Sequence, residues 1–400
     1  MPTSWLLNHI FDDNGKKLSI DVLLKGQKAA TWHQGLDNEL GRLSNGLSGT
    51  TIVGTNTIDF ITKDKIPKGA CITYANMVCD ERPLKKEQHR VRLTIGGDKL
   101  VFNSDTGSPA ADLLETKLMA NSIISDAHKG ARYLNLDIKD FFLQSFLSKP
   151  EYMRIHSHYF SQRFRKLYKI CHKIAPDCYV YCIILRGMYS LKQAAILAYR
   201  RLVAHLRLHG HYPCEGTTGL WCHKTLPTKF ALCVNDFMVK YFHKDDAMYL
   251  IQALQAKYEI TQDWSGENFC GLQFKWNYDK KYVNMSMSKY VRKALAKFNH
   301  KHPKRLQHAP YKWSIPLYGR KVQMVQPTPS QPVLPKKEIR QVQSKVGTFL
   351  YYGRAVDPTI LVPLNDISSE QAKPTPSTVK DLTMLMDFMA LLFGISTKPV

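Results

Sequence analysis

Two acids, far apart in the chain, carry the clearest chemical signal. Asp137 closes the apolar run 133–136 and is followed by Lys139, Asp140, Phe141 and Phe142. Asn235 and Asp236 lie between the apolar runs 230–234 and 237–242. This pattern predicts a strand with an acid near its end, then a tight hairpin with an acid at its tip. Carboxylates brought together on neighbouring strands can hold two divalent cations, which clamp the attacking and leaving oxygens in phosphoryl transfer. Mg²⁺ suits such hard oxygen donors, and Mn²⁺ can stand in its place. Asn235 is the discordant member, because an amide has one neutral oxygen and a nitrogen that cannot ligate a cation.

Stepping outward, the acids need a sheet to hold them and charge to hold a substrate. Lys and Arg number 56 against 33 Asp and Glu, a formal net charge of +23 over 400 residues. That excess predicts a polyanionic partner, RNA or DNA above all, with a generic basic surface as the plainer reading. The length allows two or three domains with their own cores. No apolar run approaches the ~18 residues of a membrane span, so no membrane partner is expected. The first nine residues have neither the basic start nor the apolar length of a signal peptide, and an intracellular location, cytoplasmic or nuclear, is expected. Cys171, Cys178 and Cys182 with His172, and Cys214 and Cys222 with His223, are too irregular to argue for zinc, and reduced thiols are the simpler reading.

Residues 1–70 are hard to read beyond a short strand over 57–62. A basic cluster follows, with Arg82, Lys85, Lys86, His89, Arg90 and Arg92. Within it, basic and apolar residues alternate over 90–95, as in a half-exposed strand with Arg90 and Arg92 on its outer face. Ser108 and Pro109 read as a cap and first turn for a helix to about 122 that carries Leu114, Leu118 and Met119. A strand over 180–185 precedes a helix over 191–209, with Ala195, Ala198, Leu202 and Leu206 on one face and Gly210 as its stop. Asp245 and Asp246 can cap a helix reaching Tyr258, and strands are expected over 269–276 and 281–286. A helix over 288–298 buries Val291, Leu295 and Phe298 and turns Lys289, Arg292, Lys293 and Lys297 outward. That face is either simply solvated or tracks phosphates, and the basic stretch 300–305 extends it. Four prolines mark 323–337 as a semi-rigid linker, and an α-rich segment closes the chain.

Several stretches carry a family resemblance. Residues 136–143, Leu-Asp-Ile-Lys-Asp-Phe-Phe-Leu, resemble the L-D-[VI]-K-x-[AF]-[FY]-L motif of Ty1/copia-type LTR retrotransposon reverse transcriptases. Residues 186–194, Arg-Gly-Met-Tyr-Ser-Leu-Lys-Gln-Ala, are similar to that family's x-x-[LM]-Y-G-L-[KP]-Q-A motif, and 233–236, Cys-Val-Asn-Asp, stand where it has Y-V-D-D. Residues 351–359 resemble its segment leading toward RNase H. The order of elements implies an α+β right-hand polymerase fold. It places fingers and palm over 71–260, primer-grip strands and a thumb-like helix over 261–322, the linker over 323–337, and over 338–400 a connection-like segment truncated before RNase H; the place of 1–70 is uncertain.

The resemblance also implies roles. Asp137 and Asp236 would be the catalytic metal ligands for two Mg²⁺, with Asn235 at a degenerate ligand position. Gln193 would contact the incoming dNTP, Phe142 would be the steric gate under its sugar, and Arg92 and Arg90 would reach its triphosphate. Lys289, Arg292, Lys293 and Lys297 would follow a primer and its RNA or DNA template. Taken singly, Phe142 is an ordinary core aromatic, Gln193 a first-turn residue, Asp137 a strand-end cap, and Arg90 and Arg92 solvated side chains. The implied activity is RNA-directed DNA polymerisation, impaired by Asn235. The alternative is a non-catalytic basic remnant that binds nucleic acid.

Overall fold

A computed structural model describes residue 10 and residues 18–81, 87–312 and 332–393. Arg82, Lys85, Lys86, the linker up to 331 and the final stretch 394–400 lie outside the described residues. The first described elements are a one-turn helix α1 (Ile20–Leu23) and the longer α2 (Ala29–Leu43). Next come β1 (Ile58–Ile61), β2 (Ile72–Glu81), β3 (His89–Ile95), α3 (Leu113–Ser125) and β4 (Arg132–Ile138). After these run β5 (Phe146–His156), α4 (Gln162–Leu167), β6 (Tyr179–Arg186) and α5 (Ala194–Leu208). The middle of the chain adds β7 (His211–Pro213), β8 (Leu220–His223), β9 (Lys229–Cys233), β10 (Asp236–Tyr241) and α6 (Lys244–Gln255). Short strands β11 (Ile260–Asp263), β12 (Asn268–Phe269), β13 (Leu272–Asn277) and β14 (Tyr282–Ser286) lead to α7 (Ser288–Lys297). Three helices end the described chain: α8 (Lys336–Ala355), α9 (Leu361–Glu370) and α10 (Pro376–Phe393). The architecture is mixed α and β, as the sequence implies.

The first sheet has the order β1-β6-β5-β2-β3. Its core includes Trp32, Leu36, Leu40 and Leu43, whose spacing puts them on one face of α2. The first seventy residues, hard to read in sequence, thus supply both an edge strand and a covering helix. Along β3, Val91, Leu93 and Ile95 are buried while Arg90 and Arg92 are only half-buried, the expected alternation.

The second sheet has the order β11-β4-β10-β9-β8-β7, and strand parity assigns its faces. Leu134, Leu136 and Ile138 of β4 join Phe237 and Val239 of β10 in a core that includes Leu202 and Leu206 of α5 and Leu250 and Leu254 of α6. The residues between them point to the opposite face. There, Tyr133 and Met238 pack with α3, α7 and the third sheet, ordered β12-β13-β14. By the same parity Asp137 and Asp236 fall on this second face. Buried Lys240, also on it, donates to Ser122 O at 3.0 Å and Asp126 Oδ2 at 2.5 Å, pinning α3 to β10. The Lys240 ammonium holds the Asp126 carboxyl down at about 2.

Three local expectations shift. Helix α3 starts at Leu113, because Asp112 and Glu115 form a capping box that satisfies two otherwise orphaned N–H groups; Ser108 and Pro109 precede it. Leu114 and Leu118 are 63% and 52% exposed, and Met119, Ala120 and Ile123 form the buried face. Asp245 and Asp246 lie in the first turn of α6, after His243 as N-cap, where they face the positive helix end.

Candidate functional site

Register brings the two acids together. In the antiparallel pairing of β10 with β4, Asp236 sits directly opposite Asp137, and in that of β10 with β9 it sits opposite Cys233. Val234 and Asn235 are therefore the two-residue hairpin tip, one position earlier than the sequence suggests. Val234 has φ +61°, while Asn235 is not left-handed, the arrangement of a type II′ turn. A β-branched residue is strained there, where glycine is favoured, and strain held at a hairpin tip beside two acids marks a place to look for function.

Both carboxyls are held above the ordinary carboxylate range. Burial, then the Asp236 charge, raises Asp137 above the usual carboxylate range, and burial raises Asp236. Two acids this close cannot both ionise cheaply in a partly desolvated site. Asn235 completes the arrangement. Its Nδ2 donates to Asp137 Oδ1 at 2.5 Å and to Ile138 O at 3.1 Å, and Ile138 N donates back to Asn235 O at 3.0 Å. The backbone carbonyl can only accept, so the amide nitrogen must face inward. On the far side, Cys270 Sγ donates to Asp236 Oδ2 at 3.6 Å. Protein donors thus occupy part of the acceptor capacity that cations would need. Among the described residues, no group of three or more His, Cys, Asp and Glu side chains could hold a metal ion. As arranged, this donor set does not fit the expected pair of divalent ions.

A second group of expected residues gathers at the adjoining edge of the first sheet. The Arg92 guanidinium lies 5.5 Å from the Tyr189 ring centroid, and Phe142 meets the same ring edge-to-face at 5.9 Å. Close approach permits this packing, since a Cβ on Gly187 would sit 2.6 Å from Phe142 O. Gln193 is buried, its Nε2 donates to Glu151 Oε1 at 3.1 Å, and its Oε1 has no hydrogen-bond partner among the described residues. The Nε atoms of Arg90 and Arg92 are likewise buried without a partner. Asp140 is near enough to raise Asp137 and also to act on Tyr189 and Arg42, which links this group to the acid pair.

The sequence reading missed Glu39 and Arg42 on α2. Glu39 is fully buried, accepts from Arg42 Nη1 at 2.6 Å and from Leu93 N at 3.1 Å, and attracts Arg90. Burial raises its carboxyl despite these partners. Its signal was available: an acid on the apolar face of an amphipathic helix needs a basic partner.

The basic face of α7 divides in two. Lys289 and Lys293 are exposed. Arg292 Nε instead donates to Phe393 O at 2.8 Å, tying α7 to the end of α10. Half-buried Lys297 lies 4.9 Å from the Phe298 ring centroid, and burial lowers its pKa.

No protein-family model and no curated protein matches the chain. Among solved structures, it is similar to telomerase from Candida albicans, in complex with a TWJ fragment of telomeric RNA, at 8% identity and a TM-score of 0.36. That likeness covers 66% of this chain and 53% of the other, about half its length. No helix among the described residues is long and apolar enough to cross a membrane.

Proposed function

We propose that this chain is the reverse-transcriptase part of a Ty1/copia-type retrotransposon polyprotein, in which nucleotide and primer-template binding persist while nucleotidyl transfer is curtailed by Asn235. The observation that carries the reading is the register of Asp236 on Asp137, with the Asn235 amide hydrogen-bonded to the Asp137 carboxylate. The sequence motifs supply the family, and the first-sheet edge supplies the substrate side. Arg90 and Arg92 offer guanidinium N–H groups to a triphosphate. Phe142, braced by Tyr189, closes the space where a 2′-hydroxyl would project. Gln193 is oriented by Glu151, and its buried carbonyl, unpartnered among the described residues, would accept from a nucleotide once uncovered. Lys289 and Lys293 suit duplex phosphates. The Asn235 amide partly occupies Asp137, one of the ligands expected for Mg²⁺.

The Asn235 hydrogen bond also favours a second reading, a binding protein without catalysis. Primer extension with Mg²⁺ separates the two, using the natural chain and Asn235→Asp side by side. Extension by Asn235→Asp at least ~10²-fold faster supports a curtailed polymerase. No extension by either, with salt-sensitive binding of primer-template retained, supports the binding protein. Robust extension by the natural chain overturns the role given to Asn235.

A further inference from the structure

Cys233 and Cys270 come from different sheets and meet beside Asp236. Cys233 ends β9, opposite Asp236, and lines the same cavity as Cys270. Cys270 also donates to Asp236 Oδ2 at 3.6 Å. The backbone at Cys270 is unusual. Phe269 pairs with Leu272, so Cys270 and Gly271 form a two-residue hairpin turn with φ +48° and +85°. Both angles are positive, as in a type I′ turn, whose first position favours asparagine or glycine. A cysteine is strained there. Cys233 and Cys270 both line a cavity of about 320 Å³ bounded also by Asp112, Phe269, Leu272 and Tyr351, large enough to admit a small oxidant.

We propose that Cys233 and Cys270 form a redox-active dithiol that a hydroperoxide converts to a disulfide, fastening the β12–β13 turn to the end of β9. One thiol sulfur attacks the peroxide O–O bond, giving a sulfenic acid and one water (from hydrogen peroxide). The second sulfur then attacks the sulfenic sulfur, forming the S–S bond and releasing a second water. The two thiols lose two electrons and two protons, and the peroxide is reduced to water. Oxidation removes the S–H that Cys270 donates to Asp236, so the acid pair loses a hydrogen bond as the turn is locked. The disulfide chemistry stands apart from the polymerase reading; only its effect on catalysis rests on it.

Another pair provides an internal comparison. Cys214 directly follows β7 and Cys222 lies on the neighbouring β8, at the edge of the second sheet and away from the acids. The test is peptide mapping of the full chain by mass spectrometry after graded hydrogen peroxide and alkylation of the remaining thiols. The expected result is a cross-linked peptide joining Cys233 to Cys270, reversed by dithiothreitol and absent in Cys270→Gly, a variant the left-handed backbone tolerates. Failure of this cross-link to form, with Cys233 and Cys270 still alkylatable or oxidised separately to sulfinic acid, overturns the proposal. So does a cross-link confined to Cys214 and Cys222. Neither outcome depends on whether the chain extends a primer.

Discussion

Replacing Asn235 by aspartate should weaken the metal-free protein and make it metal-responsive. The amide nitrogen lies 2.5 Å from Asp137 Oδ1 and 3.1 Å from Ile138 O, so an aspartate would set oxygen against two acceptors. Two carboxylate charges roughly 4 Å apart repel by about 4 kcal/mol at an effective dielectric constant of ~20. Leaving the buried carbonyl without its donor costs about 1–3 kcal/mol more. Proton uptake by the enlarged acid cluster relieves part of this, leaving a net loss of about 3 kcal/mol near neutral pH. The assay is denaturant unfolding of both proteins in EDTA and then in excess Mn²⁺ or Mg²⁺. Asn235→Asp should unfold at lower denaturant in EDTA and regain about 2.7 kcal/mol when the ion reaches ~100 times its Kd, while the natural chain changes little. Equal stability of the two proteins in EDTA, or equal metal stabilisation, would refute the reasoning from this hydrogen bond.

Three further outcomes follow from separate observations. Ser190 has φ +69° and packs its carbonyl against Gly97, so Ser190→Gly should stabilise the protein by about 1 kcal/mol, read as a shift in denaturation midpoint; no gain would deny the strain. Burial, chiefly, lowers the His211 pKa to about 3 from 6.5, and neither ring nitrogen has a hydrogen-bond partner among the described residues. The unfolded chain therefore binds the proton first, and the stability this group contributes is complete above pH 6.5 and lost as pH falls toward 3. At pH 5 the loss is about 2 kcal/mol, and His211→Phe should remove that part of the slope between pH 7 and 5; an unchanged slope would sink the assignment. Reversing Lys289 and Lys293 to glutamate should lower the salt dependence of nucleic-acid binding by about two counterions, measured by titration at several salt concentrations; an unaltered slope would remove α7 from the interface.

What could be read from the sequence was whatever local pattern determines. Alternation along 133–138 and 230–241 located Asp137 and Asp236 on strands, and the hairpin between β9 and β10 sets Asp236 against Cys233, while its register on Asp137 comes from the long-range pairing of β10 with β4. Helical periodicity placed Val291 and Leu295 inward on α7. Features requiring long-range approach stayed hidden. Cys270 reaches Cys233 only because the third sheet folds over the second, and nothing near either residue in sequence signals this. Glu39 shows itself on the apolar face of α2, but the contacts it receives from Arg90 and Leu93 arise only when β3 packs across that helix. The orientation of the Asn235 amide depends on two acceptors supplied by β4. The first turn of α3 failed for a different reason: two cap signals lie close together, and the reciprocal bonds of Asp112 with Glu115 outweigh the single cap offered by Ser108.

The ties from α7 to α10 have a mechanical consequence. Arg292 reaches the carbonyl of Phe393, and just past α7, His300 pairs with Asp387 at 2.8 Å. A load on Lys289 or Lys293 is therefore not borne by one ten-residue helix. It passes into the bundle of α8, α9 and α10, whose apolar residues share a core with α7, the third sheet and α3. The basic face is the tip of a braced lever, and its fulcrum lies against the sheet that carries the acids. Displacing the tip means moving the bundle as well, so the end of the chain sets the stiffness of a surface formed much earlier in it.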